Sequence, residues 1–167
     1  MATKTESKSA PTKSSRVKAI PDGYHSITPY LVIDGAARAL DFYKRAFDAK
    51  ELMRMPAPND RIGHAEIKIG NSVVMLADEH PEMDARGPGH YGGSPVTLMV
   101  YVPDVDKQFK QALDAGATEV RPVADQFYGD RSGTLKDPFG HSWHLSTHKE
   151  DVTMEEMTRR MAALKKE

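Results

Sequence analysis

Residues 26–47 read SITPYLVIDGAARALDFYKRAF, and this stretch decides the fold. Ser26–Ile33 has the β-branched and aromatic content of a strand. Pro29 cannot donate to a ladder, which puts this strand at a sheet edge or the proline at the strand's start. Asp34-Gly35 ends it. Ala36, Leu40, Tyr43 and Phe47 then recur at helical spacing. Glu51–Met55 reads as a short strand, and Pro56-Ala57-Pro58-Asn59-Asp60 as a turn. His64–Ile69 alternates, Gly70-Asn71 turns the chain, and Ser72–Ala77 is a Val-rich strand. The order is strand, helix, strand, strand, strand.

The order then repeats. Val96–Val102 is a strand, Asp104 caps a helix, and Val105, Phe109, Ala112 and Leu113 line one face of it. Gly116 stops that helix. Glu119–Pro122, a stretch around Phe127–Leu135, the turn Asp137-Pro138-Phe139-Gly140 and a last strand Ser142–Thr147 follow. Ala46-Phe47-Asp48-Ala49 matches Ala112-Leu113-Asp114-Ala115, and Gly70-Asn71-Ser72 matches Gly140-His141-Ser142. The period is too long for a solenoid. The expected architecture is α+β: paired βαβββ modules forming a concave, partly closed mixed sheet with the helices outside. The modules span residues 22–80 and 96–148, joined by a Gly/Pro-rich linker at 81–95. A C-terminal helix is expected within 149–167: Thr153 and Glu156 fit a capping box, and Met154, Met157, Met161 and Leu164 share a face. It either docks on its own domain or makes a dimer contact.

Composition narrows the function. With 167 residues, the chain should bury roughly 70% of its unfolded surface and needs no staples. It has 0 Cys, which excludes a disulfide framework, a thiol nucleophile and any Cys-based metal centre. Its net charge of -1 argues against a nucleic-acid binder, and no apolar run is long enough to span a membrane. Residues 1–21 form a basic segment with Lys4, Lys8, Lys13, Arg16 and Lys18 against Glu6, read as a disordered tail without the apolar core of a secretory signal. Phosphate loops, dinucleotide fingerprints, zinc helices and nucleophile elbows are all missing.

Three polar side chains are the candidate catalytic residues. On an alternating strand, His64 and Glu66 share one face, opposite Ala65, Ile67 and Ile69. His144 lies opposite Trp143 and Leu145 on the last strand and should also face the concavity. Such groups could shuttle a proton or hold a metal, or simply be solvated. Tyr128, Asp130 and Arg131 form a second polar group. Arg131 could clamp a carboxylate or phosphate, or pair structurally with Asp130 or Asp137. Met53, Met55, Met75 and Met99 suit either an adaptable apolar binding face or ordinary core packing. The other histidines, His141 among them, lie in or beside loops and carry no assignment.

The repeated βαβββ unit, Tyr30–Gly35 leading into Asp41-Phe42-Tyr43, the Gly70–Asp78 strand and the Asp137–Gly140 turn together resemble the vicinal oxygen chelate superfamily of glyoxalases, bleomycin-resistance proteins and extradiol dioxygenases, over residues 22–160. Its PhnB-like branch is the nearest resemblance. The resemblance implies metal-ligand positions on four strands. Here they fall on Thr28, Met75 (Val74 if the alignment slips by one), Thr97 and His144, of which only His144 is a natural ligand. It therefore implies a small molecule bound in the concavity by Thr28, Met75, Thr97, Met99, Tyr128 and Arg131, with no cofactor expected. The alternative is a glyoxalase-like lyase, isomerase or dioxygenase using His64, Glu66 and His144, with or without a divalent metal. A methyltransferase label sometimes attached to the branch is not carried over, since no glycine-rich loop for a methyl donor is present. A cytoplasmic homodimer is expected, with modules pairing within or across chains.

Overall fold

A computed structural model describes residues 17–164. The first module comprises β1 (Tyr30–Ile33), α1 (Ala36–Phe47), β2 (Lys50–Ala57), β3 (Arg61–Ile69) and β4 (Ser72–Asp78). The second comprises β5 (Thr97–Tyr101), α2 (Val105–Ala115), β6 (Thr118–Asp125), β7 (Asp130–Lys136) and β8 (Ser142–His148). A terminal helix, α3, covers Met154–Leu164. Each module folds into a four-stranded mixed sheet, in the orders β1-β4-β3-β2 and β5-β8-β7-β6. In both, the first strand runs parallel to the last and the other neighbours are antiparallel. The α+β architecture of two βαβββ units is therefore the one the sequence implies. Most of residues 1–21, the expected tail, lies outside the described residues.

The first strand is shorter than expected, starting at Tyr30 rather than Ser26. Pro29 marks the start: it donates nothing, but its carbonyl accepts the Met75 N–H at 2.9 Å. Within the stretch Phe127–Leu135, Phe127–Gly129 form a turn. Gly129 N–H returns to the Gln126 carbonyl at 3.0 Å, so β7 begins only at Asp130.

The helices α1 and α2 pack on one side of the sheets. Ile33, Leu40, Ile67 and Leu76 form the first half of the core, and Val105, Phe109, Leu135, Trp143 and Leu145 the second. They merge into one core because α1 reaches across: Tyr43 and Phe47 lie against Trp143 with ring centroids 5.4 and 4.7 Å apart. Aromatic contacts of this kind add about 0.5–1.5 kcal/mol each beyond area burial. Buried Asp137 pins the same junction, accepting from Tyr43 Oη at 2.8 Å and Trp143 Nε1 at 2.9 Å. The two sheets share no ladder. Their β1 and β5 edges instead flank a cavity of about 340 Å³ lined by Tyr30, Val32, Val96, Leu98 and His141.

One match between the two modules needs correction. On β4, Val74 and Leu76 face the helices. On β8, Trp143 and Leu145 do. The structural offset between these strands is therefore odd, and pairing Ser72 with Ser142 would put equivalent residues on opposite faces. The apolar face of α3 is not docked on its own domain: no residue of α3 is fully buried, and Met154, Met161 and Leu164 are exposed. Only half its capping box forms. Thr153 Oγ1 accepts the Glu156 N–H at 3.2 Å, but the Glu156 carboxylate turns to Arg159 and Arg160.

Candidate functional site

Strand alternation sorts the polar residues onto the face opposite the helices. On β3, Ala65, Ile67 and Ile69 go into the core, which leaves His64 and Glu66 on the open face. There they meet: His64 Nε2 lies 3.2 Å from Glu66 Oε1. His64 Nδ1 lies 3.0 Å from Tyr30 Oη, and the second oxygen of Glu66 accepts the Tyr24 hydroxyl. That bond raises the Tyr24 phenol above its ordinary value, with desolvation and the Glu66 charge adding to the effect. Neither tyrosine was among the sequence candidates. Tyr30 stood in plain view on β1 with outward parity, whereas Tyr24 precedes the first strand and carries no periodic signal.

The second sheet builds a different cluster. His144 is there, and its Nδ1 lies 2.9 Å from Thr134 Oγ1. Burial lowers its pKa, as does the charge of Arg121, against an opposing pull from Asp130. His144 thus belongs to one polar chain and the His64–Glu66 pair to another. Among the described residues, no three His, Asp or Glu side chains converge tightly enough to hold a metal ion. The positions implied for metal ligands are otherwise occupied. Thr28 precedes β1 and bonds to the His25 carbonyl, Thr97 donates to Ser142 Oγ, and Met75 offers only a soft thioether. The donor set of a single chain does not fit a divalent ion.

Below His144, Asp130 is buried and accepts from Ser146 Oγ at 2.8 Å, Tyr101 Oη at 3.1 Å and His148 Nδ1 at 2.7 Å. Burial pushes its carboxyl up, but the three donors together outweigh this and hold it below its ordinary value. His148, bonded also to Asp151, is correspondingly raised. Tyr128 reaches the same face, with its hydroxyl 3.4 Å from Ser132 Oγ.

Arg131 is not on that face. Its parity on β7 matches Gly133 and Leu135, so it points to the helix side. There it forms a two-pronged pair with Asp106 of α2 at 2.7 and 2.8 Å and reaches Asp125 at 3.2 Å. It is a structural arginine, though neither Asp130 nor Asp137 is its partner. His141, set aside as a loop residue, is buried and lines the β1–β5 cavity. Desolvation lowers its pKa, and its Nε2 has no hydrogen-bond partner.

The methionines complete the open face. Met53 and Met55 of β2 sit beside Glu66 and His64, Met75 beside Tyr30, and Met99 beside His144. Met53, Met55 and Met99 are 38%, 54% and 47% exposed, which is unlike core packing. A larger cleft of about 600 Å³ lies elsewhere, lined by Arg38, Arg45 and Arg86. Its arginines already serve the Asp34 carbonyl, the Ala115 carbonyl and Asp84.

A protein with two βαβββ modules and polar residues gathered on the face opposite their helices has the layout of the glyoxalase fold. This chain belongs to the Glyoxalase/Bleomycin resistance protein/Dioxygenase superfamily, whose sequence profile matches residues 23–145. An uncharacterized protein of Mycobacterium tuberculosis, Rv0887c, is 45% identical over 141 residues, which cover 83% of each chain. The crystal structure of TioX from Micromonospora sp. ML1 is 31% identical and superposes with a TM-score of 0.60, covering 73% of this chain and 97% of that one. A PhnB protein from Bacillus cereus shares the fold at 18% identity and a TM-score of 0.56, covering 74% of this chain and 99% of that one.

Proposed function

We propose that this protein binds a small organic molecule on the open face of its sheets, and that it does so without the superfamily's four-position metal site. The observation that supports this reading is the half-exposed set of Met53, Met55 and Met99 arrayed around fixed polar groups. Binding sites are mostly apolar surfaces with a few placed polar atoms, and methionine adapts to irregular ligands. Met75, Thr97, Met99 and Tyr128 are assigned to the ligand. Thr28 stands at the margin of the face, ahead of β1. A second copy of the chain is the proposed partner, covering faces that one chain leaves open. The PhnB-like branch is the proposed subgroup and the cytoplasm the proposed location. No helix among the described residues is long and apolar enough to cross a membrane.

A second reading is favoured by one contact, His64 Nε2 at 3.2 Å from Glu66 Oε1. A histidine oriented by a carboxylate is suited to acid–base catalysis. This reading keeps His64 and Glu66 as the catalytic pair. His144 joins them only if a ligand or a second chain bridges the two sheets.

Native mass spectrometry on untagged protein prepared without chelator tests both composition and assembly. The expected result is a dimer carrying no stoichiometric divalent ion, with any organic adduct naming the ligand class. One ion per chain would overturn the metal-free reading. A ligand screen that finds no binder whose affinity depends on Met53, Met55 or Met99 would overturn binding at this face.

A further inference from the structure

We propose that Tyr30, His64 and Glu66 form a proton relay whose outer end, the Tyr30 hydroxyl, receives the acidic hydroxyl of a phenol- or enol-type ligand. This inference rests on the open face being a binding surface and names the ligand class it takes.

Register places the parts. Tyr30 pairs with Met75 across the parallel β1–β4 ladder, Met75 with Glu66 across β4–β3, and Glu66 with Met53 across β3–β2. One row thus crosses the open face, and His64 with Met55 forms the adjacent row. Glu66 is only 7% exposed, and both its oxygens are engaged, one with Tyr24 Oη and one with His64 Nε2. An ionised carboxylate only accepts, so both neighbours donate to it. His64 therefore carries its proton on Nε2 when neutral. Nδ1, 3.0 Å from Tyr30 Oη, is then a lone pair, and Tyr30 donates into it. The Tyr30 oxygen keeps its own lone pairs, and the residue is 51% exposed.

The order of groups sets the chemistry. A ligand O–H donates its proton to Tyr30 Oη as the tyrosine's own proton passes to His64 Nδ1. The ligand is left as an oxyanion hydrogen-bonded to Tyr30, and the imidazolium faces the Glu66 carboxylate. Two protons move, two O–H bonds are exchanged for one O–H and one N–H, and no electrons change hands. An aliphatic alcohol holds its proton far more tightly than an imidazolium does, so it does not suit the relay. A carboxylic acid is already ionised at neutral pH, and the nearby Glu66 charge opposes it. Phenols and enols lie between. Met53, Met55 and Met75 supply polarizable sulfur for a flat ring. The second sheet holds no such relay, since Tyr101 bonds directly to Asp130.

The test uses the full chain, its Tyr30→Phe variant and 4-nitrophenol as probe. Nitrogen-15 NMR reads the His64 tautomer, methionine-methyl NMR reads the binding site, and absorbance separates bound phenolate from phenol. The expected result is neutral His64 protonated at Nε2, with probe bound as phenolate at a pH where the free probe is largely neutral. Tyr30→Phe should weaken binding about tenfold and abolish the phenolate signal. His64 protonated at Nδ1, or a Tyr30→Phe variant with unchanged affinity and spectrum, overturns the relay even if the probe binds. A probe that leaves the Met53, Met55 and Met75 methyls unmoved removes phenols as the ligand class and this inference with them. The proposed binding function then still stands or falls on its own ligand screen.

Discussion

The two sheets carry the same strand order and a tyrosine at half exposure on their first strands, Tyr30 and Tyr101, yet they use their polar groups differently. In the first module, histidine stands between tyrosine and carboxylate. In the second, the carboxylate of Asp130 stands at the centre and collects Tyr101, Ser146 and His148. A histidine in the middle can pass a proton along, because it has one site to accept and one to donate. A carboxylate surrounded by donors is held as a fixed charge, and the lowered pKa of Asp130 reports that. The second cluster also has a structural task. His148 links Asp130 to Asp151, and the Gly129 carbonyl accepts both Lys149 and Glu150 N–H, so the chain leading to α3 is strapped to β7. A duplicated scaffold thus supports one side suited to exchange and one side suited to anchoring.

The largest expected effect joins the modules rather than separating them. Asp137→Ala would strand the Tyr43 hydroxyl and the Trp143 indole N–H inside the shared core. The cost should be about 4 kcal/mol, read by urea unfolding. Trp143 is the only tryptophan, so fluorescence reports this junction directly.

A paired experiment sharpens the comparison of the helices. The start of α1 has no cap of its own. Gly35, with φ 91°, occupies the N-cap, and Asp78 at the end of β4 accepts the N–H groups of Gly35, Ala36 and Ile62. The start of α2 is capped locally, by Asp104 on Lys107 N–H at 3.0 Å. Asp78→Ala should therefore cost about 3 kcal/mol, against about 1 kcal/mol for Asp104→Ala. Equal losses in thermal or urea unfolding would contradict the asymmetry.

The pH dependence of the anchor is smaller. The folded-state pKa of His148 is raised by its bonds to Asp130 and then Asp151, so its contribution is complete below its unfolded value of about 6.5. It is lost as pH rises through the raised value. The lowered Asp130 has the opposite sign: its contribution is present above its unfolded value of about 3.9 and lost as pH falls through the folded one. His148→Gln should thus reduce urea stability at pH 5.5 and have little effect at pH 9. A constant difference across that range would exclude the ion-pair account. Arg131→Gln should have the smallest effect, because Asp106 and Asp125 are largely exposed. Its small loss should vanish in about 1 M salt.

Much of the site was legible from alternation alone. Ala65, Ile67 and Ile69 had to face one way, so His64 and Glu66 had to face the other, and the same logic placed His144 opposite Trp143 and Leu145. Arg131 obeys that rule too: counted from Leu135, it falls on the helix side. Tyr24 lay beyond the rule, because it sits in irregular chain and meets Glu66 only through the fold. His141 was similarly hidden. Its burial comes from the meeting of the β1 and β5 edges, which no local pattern encodes.

The sequence by itself determined the paired βαβββ order, the core and open faces of β3 and β8, the Asp104 cap and the Gly116 stop. These follow from period, propensity and chemistry within a few residues of chain. Tertiary structure decided which polar groups meet. Only the fold puts Asp78 on α1, places Asp137 between Tyr43 and Trp143, and keeps His144 on one sheet and the His64–Glu66 pair on the other. The reason is distance along the chain: alternation states which way a side chain points, but its partner lies 40 or more residues away for Asp78 and Tyr24, and 94 for Asp137 and Tyr43. Packing of the strands and helices alone brings such pairs together.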